Sequence, residues 1–178
     1  MNNRKIIFVG GIHAVGKGTV CKELTEKFNF EHLSASQVLK WDEISDSKNK
    51  KVQNFTTTQD RLLTNLNRIV KPNKKYLLDG HFTLLNLNGE PEKIDESTFV
   101  GIQPESIILL ICEPKIIFER LKQRDDSIYE LSVLEKMQQM EIEYAKYISK
   151  KLEIHLFTVI DGNTNSVIEH LKSYENTN

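Results

Sequence analysis

Residues 5–9, "KIIFV", run directly into "GGIHAVGKGT" at residues 10–19. The first five are almost wholly apolar, the pattern of a strand buried on both faces. The next ten hold four glycines and one lysine, more glycine than a simple turn requires. Gly11, Gly16 and Lys17 fit the spacing G-x-x-x-x-G-K, and the spacing has a physical purpose. A polyphosphate is held by successive backbone N–H groups, so side chains must be absent where the backbone wraps it. A helix starting here turns its positive end on the same anion. The lysine adds a point charge able to follow a transferring phosphoryl group. Downstream, Val20, Leu24 and Phe28 fall on one helical face, so the stretch predicts a strand–loop–helix unit. Its phosphate cradle is Gly11, His13, Ala14, Val15, Gly16, Lys17, Gly18, Thr19 and Val20.

Outward from this unit, strands and helices alternate. "FEHL" at 30–33, "YLL" at 76–78, "SIILLI" at 106–111 and "HLFTVI" at 155–160 read as further strands. Helical spacing marks residues 56–70, 115–124 (with Pro114 at the first turn), 130–152 and about 164–173. The Asn/Gly/Glu-rich stretch 86–98 reads as a loop. Crossover connections of this kind demand a parallel sheet with helices on both faces. The expected fold is a three-layer α/β/α domain on five parallel strands in the order 2-3-1-4-5. The first strand is central, its loop opening at the carboxyl edge of the sheet. On the 130–152 helix, Val133, Met137, Met140, Tyr144, Ile148 and Leu152 form the expected core stripe.

The 178 residues suit one domain, with 39% apolar and 28% charged residues and a formal charge of −1. That balance offers no field for nucleic acid or a membrane surface. The most apolar run, Ile107–Cys112, is far short of the roughly 20 residues that span a bilayer. Cys21 and Cys112 lack ligand spacing and read as reduced thiols of a cytoplasmic protein. A monomer or small homo-oligomer is expected.

The "GKGT" ending places Gly18 after the lysine, where motor ATPases and GTPases carry a magnesium-binding Ser or Thr. It resembles the phosphate loop of adenylate kinases and other nucleoside monophosphate kinases, a likeness that runs from about residue 5 to 172. "HLSASQVLK" at 32–40 is similar to the start of that family's acceptor region, with Lys40 at the place of a phosphate-holding arginine. "YLLDGH" at 76–81 is similar to the strand that ends in Asp-Gly, "ERLKQR" at 119–124 to the lid entrance, and "VIDGN" at 159–163 to the adenine-side loop. The order "DGH…NG…" followed by "IILLICEP" looks most like the archaeal branch.

The resemblance implies ATP as phosphoryl donor, Mg²⁺ as cofactor and a nucleoside monophosphate as acceptor. It implies catalytic roles for Lys17, Arg120, Arg124 and Asp79, with Asp79 reaching the metal through water. Arg120 would stack on the base, and Gly162 and Asn163 would pass the adenine. Ser34, Lys40, Arg61 and His81 are the acceptor-side candidates. An acceptor-binding insertion is expected at about 36–71 and a short lid at about 124–132. Four departures stand out: Gln37 for an aspartate, Thr83 for an arginine, His13-Ala14 for Pro-Gly, and no second pair of lid arginines.

Two other functions remain open. A kinase acting on a hydroxyl usually wants a carboxylate beside that hydroxyl, and "SAS" at 34–36 supplies none. A nucleotide sensor would bind ATP with little turnover.

Overall fold

The computed structural model describes residues 5–39, 45–46, 51–52, 55–124 and 129–175. Strand β1 (Lys5–Gly10) feeds the glycine loop and helix α1 (Lys17–Lys27), followed by β2 (Phe30–Ser34) and the short α2 (Ala35–Leu39). A two-residue pair, β3 (Ser45–Asp46) with β4 (Lys51–Val52), precedes α3 (Phe55–Ile69) and β5 (Lys75–Asp79). A small hairpin of β6 (Thr83–Leu85) and β7 (Pro91–Lys93) then leads to α4 (Glu96–Ile102). The remaining elements are β8 (Ser106–Ile111), α5 (Pro114–Arg124), α6 (Leu131–Leu152), β9 (His155–Ile160) and α7 (Asn165–Glu175).

The main sheet runs β2-β5-β1-β8-β9, every neighbouring pair parallel. Among its own five strands this is the order 2-3-1-4-5 with β1 central, as the alternating pattern predicts. Successive side chains of β1 enter opposite layers, because strand residues alternate faces. Ile7 and Val9 pack with Val20 and Leu24 of α1, Ile117 and Leu121 of α5 and Val167 of α7. Ile6 and Phe8 pack with Leu62 and Leu66 of α3, Phe99 of α4 and Tyr144 of α6. Helix α6 serves both layers: Leu134 and Met137 join the first, Ala145 and Ile148 the second. It therefore passes the carboxyl end of the sheet, where the glycine loop lies.

Two features differ from the sequence reading. The stretch 86–98 is not all loop: Pro91–Lys93 pairs with β6, and α4 begins at Glu96. Asp95 caps that helix by accepting from the Ser97 N–H at 2.8 Å, a local signal in "DES". The stripe on α6 also differs from apolar spacing: Leu134, Gln138 and Glu141 are buried on it, the last two at 8% and 1% exposure, while Val133 and Met140 are only half-buried and outside the core.

Candidate functional site

The glycine loop owes its shape to close approaches on one side and open space on the other. A Cβ on Gly10 would lie 2.4 Å from the Phe82 ring. Gly11 has φ +145°, and a Cβ there would meet Val15 at 2.8 Å and the Leu110 carbonyl at 3.0 Å. Gly10 thus lets the chain pass the Phe82 ring, and Gly11 lets it pass Leu110 of β8. Gly16, at φ +109°, starts α1 without a side-chain cap, and no acidic residue stands in the first turn. Gly18 faces open space. The positive end of α1 is thus left for an anion. Ala14 holds φ 58°, a left-handed conformation costing a side-chain-bearing residue about 1–2 kcal/mol.

Lys17 folds back over the loop, its Nζ donating to the carbonyls of Gly11 at 2.7 Å and Ile12 at 3.1 Å. Burial lowers its pKa from the ordinary 10.5 to about 8, against the pull of Glu141 and Asp79. Between pH 8 and 10.5 the unfolded chain keeps a proton that the folded chain has lost. Stability from this group therefore rises with pH across that window. A bound polyphosphate restores the charge. Its binding at pH 9 should take up about one proton, and at pH 6.5 almost none, since Lys17 is then already charged. Calorimetry in two buffers of different ionisation heat reads this directly; equal uptake at both pH values would remove Lys17 from the phosphate contact.

Behind the loop sits a residue that periodicity did not single out. Glu141 Oε1 accepts from Gly11 N and Phe82 N, each at 2.9 Å, and Oε2 accepts from Thr83 N at 2.8 Å and Thr83 Oγ1 at 2.7 Å. Burial pushes its carboxyl pKa up, while the Phe82 and Thr83 donors and the Lys17 charge pull it back. Three backbone N–H donors make the ionised form the better partner. One turn earlier, Gln138 holds both the N–H (3.2 Å) and the carbonyl (2.9 Å) of Cys112, just beyond β8. Thr83 is fully buried with its hydroxyl on Glu141. An arginine placed there would break this bond.

Beyond the loop lies a cavity of about 990 Å³. The end next to the loop is walled by residues 13–20, Arg120, Arg124, Asp161 and Gly162. Arg120 Nη1 donates to the Ala14 carbonyl at 3.2 Å and so reaches across from α5 onto the loop. Asp79, at the end of β5, faces the same space, and its Oδ2 lies 2.5 Å from His32 Nε2. A carboxylate beside the phosphate cradle suits a hydrated Mg²⁺, with Thr19 also on the wall.

The other end is walled by Ser34, Ala35, Leu39, Thr58, Gln59, Leu62, His81, Leu84, Thr98 and Phe99. His81 lies against His13 of the loop, ring centroids 4.2 Å apart. Ser34 Oγ and Ser36 Oγ are 2.8 Å apart.

Other candidates fall elsewhere. Arg61 is not among the described wall residues, because α3 turns Thr58, Gln59 and Leu62 inward instead. Asn163 is spent on structure: its Oδ1 accepts from Asn165 N at 3.2 Å, at the start of α7, while Gly162 keeps the wall position. Lys40 lies outside the described residues, as do 125–128 of the expected lid.

A family model described as an AAA domain matches residues 10–138. The chain is 26% identical over 155 residues to adenylate kinase isoenzyme 5 of Mus musculus, covering 85% of this chain and 26% of that protein. It is 26% identical over 135 residues to an adenylate kinase of Mesomycoplasma hyopneumoniae, covering 69% and 59%. UMP-CMP kinase 1 of Oryza sativa is 25% identical over 184 residues, covering 94% and 72%. The chain thus spans about a quarter of the mouse protein and three fifths of the mycoplasma one. Among solved structures, an unliganded sugar kinase from Janibacter superposes with a TM-score of 0.59 at 11% identity, covering 97% of this chain and 95% of that one. That likeness shows the fold. With the glycine loop inside the matched region, the chain belongs to the AAA-domain family of P-loop proteins and is of the nucleoside monophosphate kinase-like kind.

Proposed function

We propose that the chain transfers the terminal phosphoryl group of ATP to the phosphate of a nucleoside monophosphate. The observation that carries this reading is one continuous cavity that the phosphate cradle shares with residues of β2, α2, α3 and α4, leaving room for a second ligand beside the first. Such a reaction asks for positioning and charge neutralisation, with no dedicated base, because the acceptor phosphate is already ionised. Lys17 and Arg124 supply charge at the transferring group, and Arg120 braces the loop and the base. Asp79 would hold the water shell of a bound Mg²⁺, which would supply neutralising charge at the phosphates. Residues 36–71 and 124–132 form the acceptor insertion and lid, closing to keep water from the phosphoryl group.

A second reading rests on the acceptor chamber. Its described wall away from the loop carries Leu39, Leu62, Leu84 and Phe99 and no lysine or arginine. A hydroxyl-bearing acceptor of largely apolar body suits such walls. ADP release measured over nucleoside mono- and diphosphates, nucleosides and simple alcohols separates the readings. Turnover with monophosphates supports the first, turnover with nucleosides or alcohols alone replaces it with the second. Tight ATP binding with no ADP under any acceptor makes the chain a sensor.

A further inference from the structure

We propose that Cys21, His32 and Asp79 form a binding site for a soft divalent cation of the zinc class, set beside the phosphate cradle and antagonistic to it. The three ligand atoms all lie within 4.8 Å of one another. They come from three separate elements, α1, β2 and β5, with β2 and β5 paired along their whole length. Cys21 follows Lys17 by one helical turn and is fully buried, closing the inner side of the cluster. His32 and Asp79 keep side-chain exposures of 33% and 16%, leaving an approach from solvent.

The geometry is close to what such a cation needs. Tetrahedral bonds of about 2.0–2.3 Å put ligand atoms about 3.3–3.7 Å apart. His32 Nε2 and Asp79 Oδ2, now 2.5 Å apart, would open by about 1 Å to admit the ion between them. The Cys21 sulfur, within 4.8 Å of both, would close by no more than about 1.5 Å. Three protein ligands leave a fourth position for water.

The donor set selects the ion. A thiolate and an imidazole favour zinc-class cations and disfavour Mg²⁺, which prefers six oxygens. Thiolate and carboxylate together cancel the charge of a divalent ion, so the neighbouring Lys17 ammonium meets a neutral cluster. The thiol proton leaves to the buffer as the ion binds. Occupation takes Asp79 away from the hydrated Mg²⁺ of the phosphate site. That antagonism rests on the function proposed above; cation binding itself does not.

The test uses the full chain, freed of metal by a chelator and titrated with Co²⁺ and then Zn²⁺. One equivalent of Co²⁺ should give a thiolate charge-transfer band in the near ultraviolet, and Zn²⁺ should abolish it. Cys21→Ala, or Cys21→Ser where the volume must be kept, should lose the band and weaken Zn²⁺ binding about 100-fold, read by competition with a chromophoric chelator. His32→Gln should weaken binding while keeping the band. Melting curves establish that each variant is folded. No thiolate band with the unaltered chain, or Zn²⁺ affinity unchanged in both Cys21 variants, overturns the site without touching the kinase reading. Where turnover is measurable, Zn²⁺ should inhibit the unaltered chain reversibly and spare Cys21→Ser, whose turnover with Mg²⁺ alone should be unchanged. Binding without inhibition would overturn the antagonism.

Discussion

Lys17→Ala is expected to lower turnover by about 10³-fold or more, the scale seen when a group that stabilises transition-state charge is removed. The side chain rests on the carbonyls of Gly11 and Ile12. It must leave them to meet a phosphate, so its interaction is strongest with the ligand present. The variant should fold as well as the parent at neutral pH. Burial already lowers the lysine pKa to about 8, so removing the charge relieves a desolvation cost. Activity and melting temperature should therefore part company. Near-normal ADP release from this variant would disprove the phosphate-loop assignment, and a lost fold would disprove the account of the buried charge.

Glu141→Ala is expected to act in the opposite way, through stability. It strips the acceptor from Gly11 N, Phe82 N, Thr83 N and the Thr83 hydroxyl, in a place where Glu141 is 1% exposed. Leaving buried donors unsatisfied costs about 1–3 kcal/mol per group, though not additively. A total of about 3–5 kcal/mol is a large share of a domain's usual stability. For a chain of this length it corresponds to a fall of about 10 °C in melting temperature. Glu141→Gln should recover only part, because its amide group turns an N–H toward the same donors. A melting temperature within about 2 °C of the parent would show that the loop does not depend on this carboxylate.

The contrast between these two residues shows what the sequence could reveal. Lys17 was legible because its partners are local: the glycines, the strand and the helix all fall within residues 5–28. The sheet strands were legible for a similar reason: "SIILLI" carries its burial in its own composition, whereas the edge strand "HLFTVI" was found by its apolar run although only Val159 of it is buried. Glu141 was not, because its partners lie 58 to 130 residues away. Aligning Gln138 and Glu141 with Met137 and Tyr144 would have flagged two polar residues on a buried face. The Cys21, His32 and Asp79 cluster draws on residues up to 58 positions apart and left no local pattern. The acceptor end suffered most. Arg61 looked suitable on the polar side of α3, yet helical rotation presents Thr58, Gln59 and Leu62 to the cavity.

The carboxylate behind the loop also has a bearing on the order of events as the chain is made. Residues 5–20 contain every part of the phosphate motif, and they leave the ribosome early. Gly11 nevertheless finds its acceptor only when residue 141 arrives, and the backbone at Cys112 only when residue 138 does. Contacts of such sequence separation form late, after the long intervening loop has been closed. A nascent chain that has not yet reached residue 141 therefore carries the motif without the brace that shapes it. Nucleotide capture should begin only once α6 has emerged and docked, so that binding competence reports completion of the domain rather than synthesis of its signature.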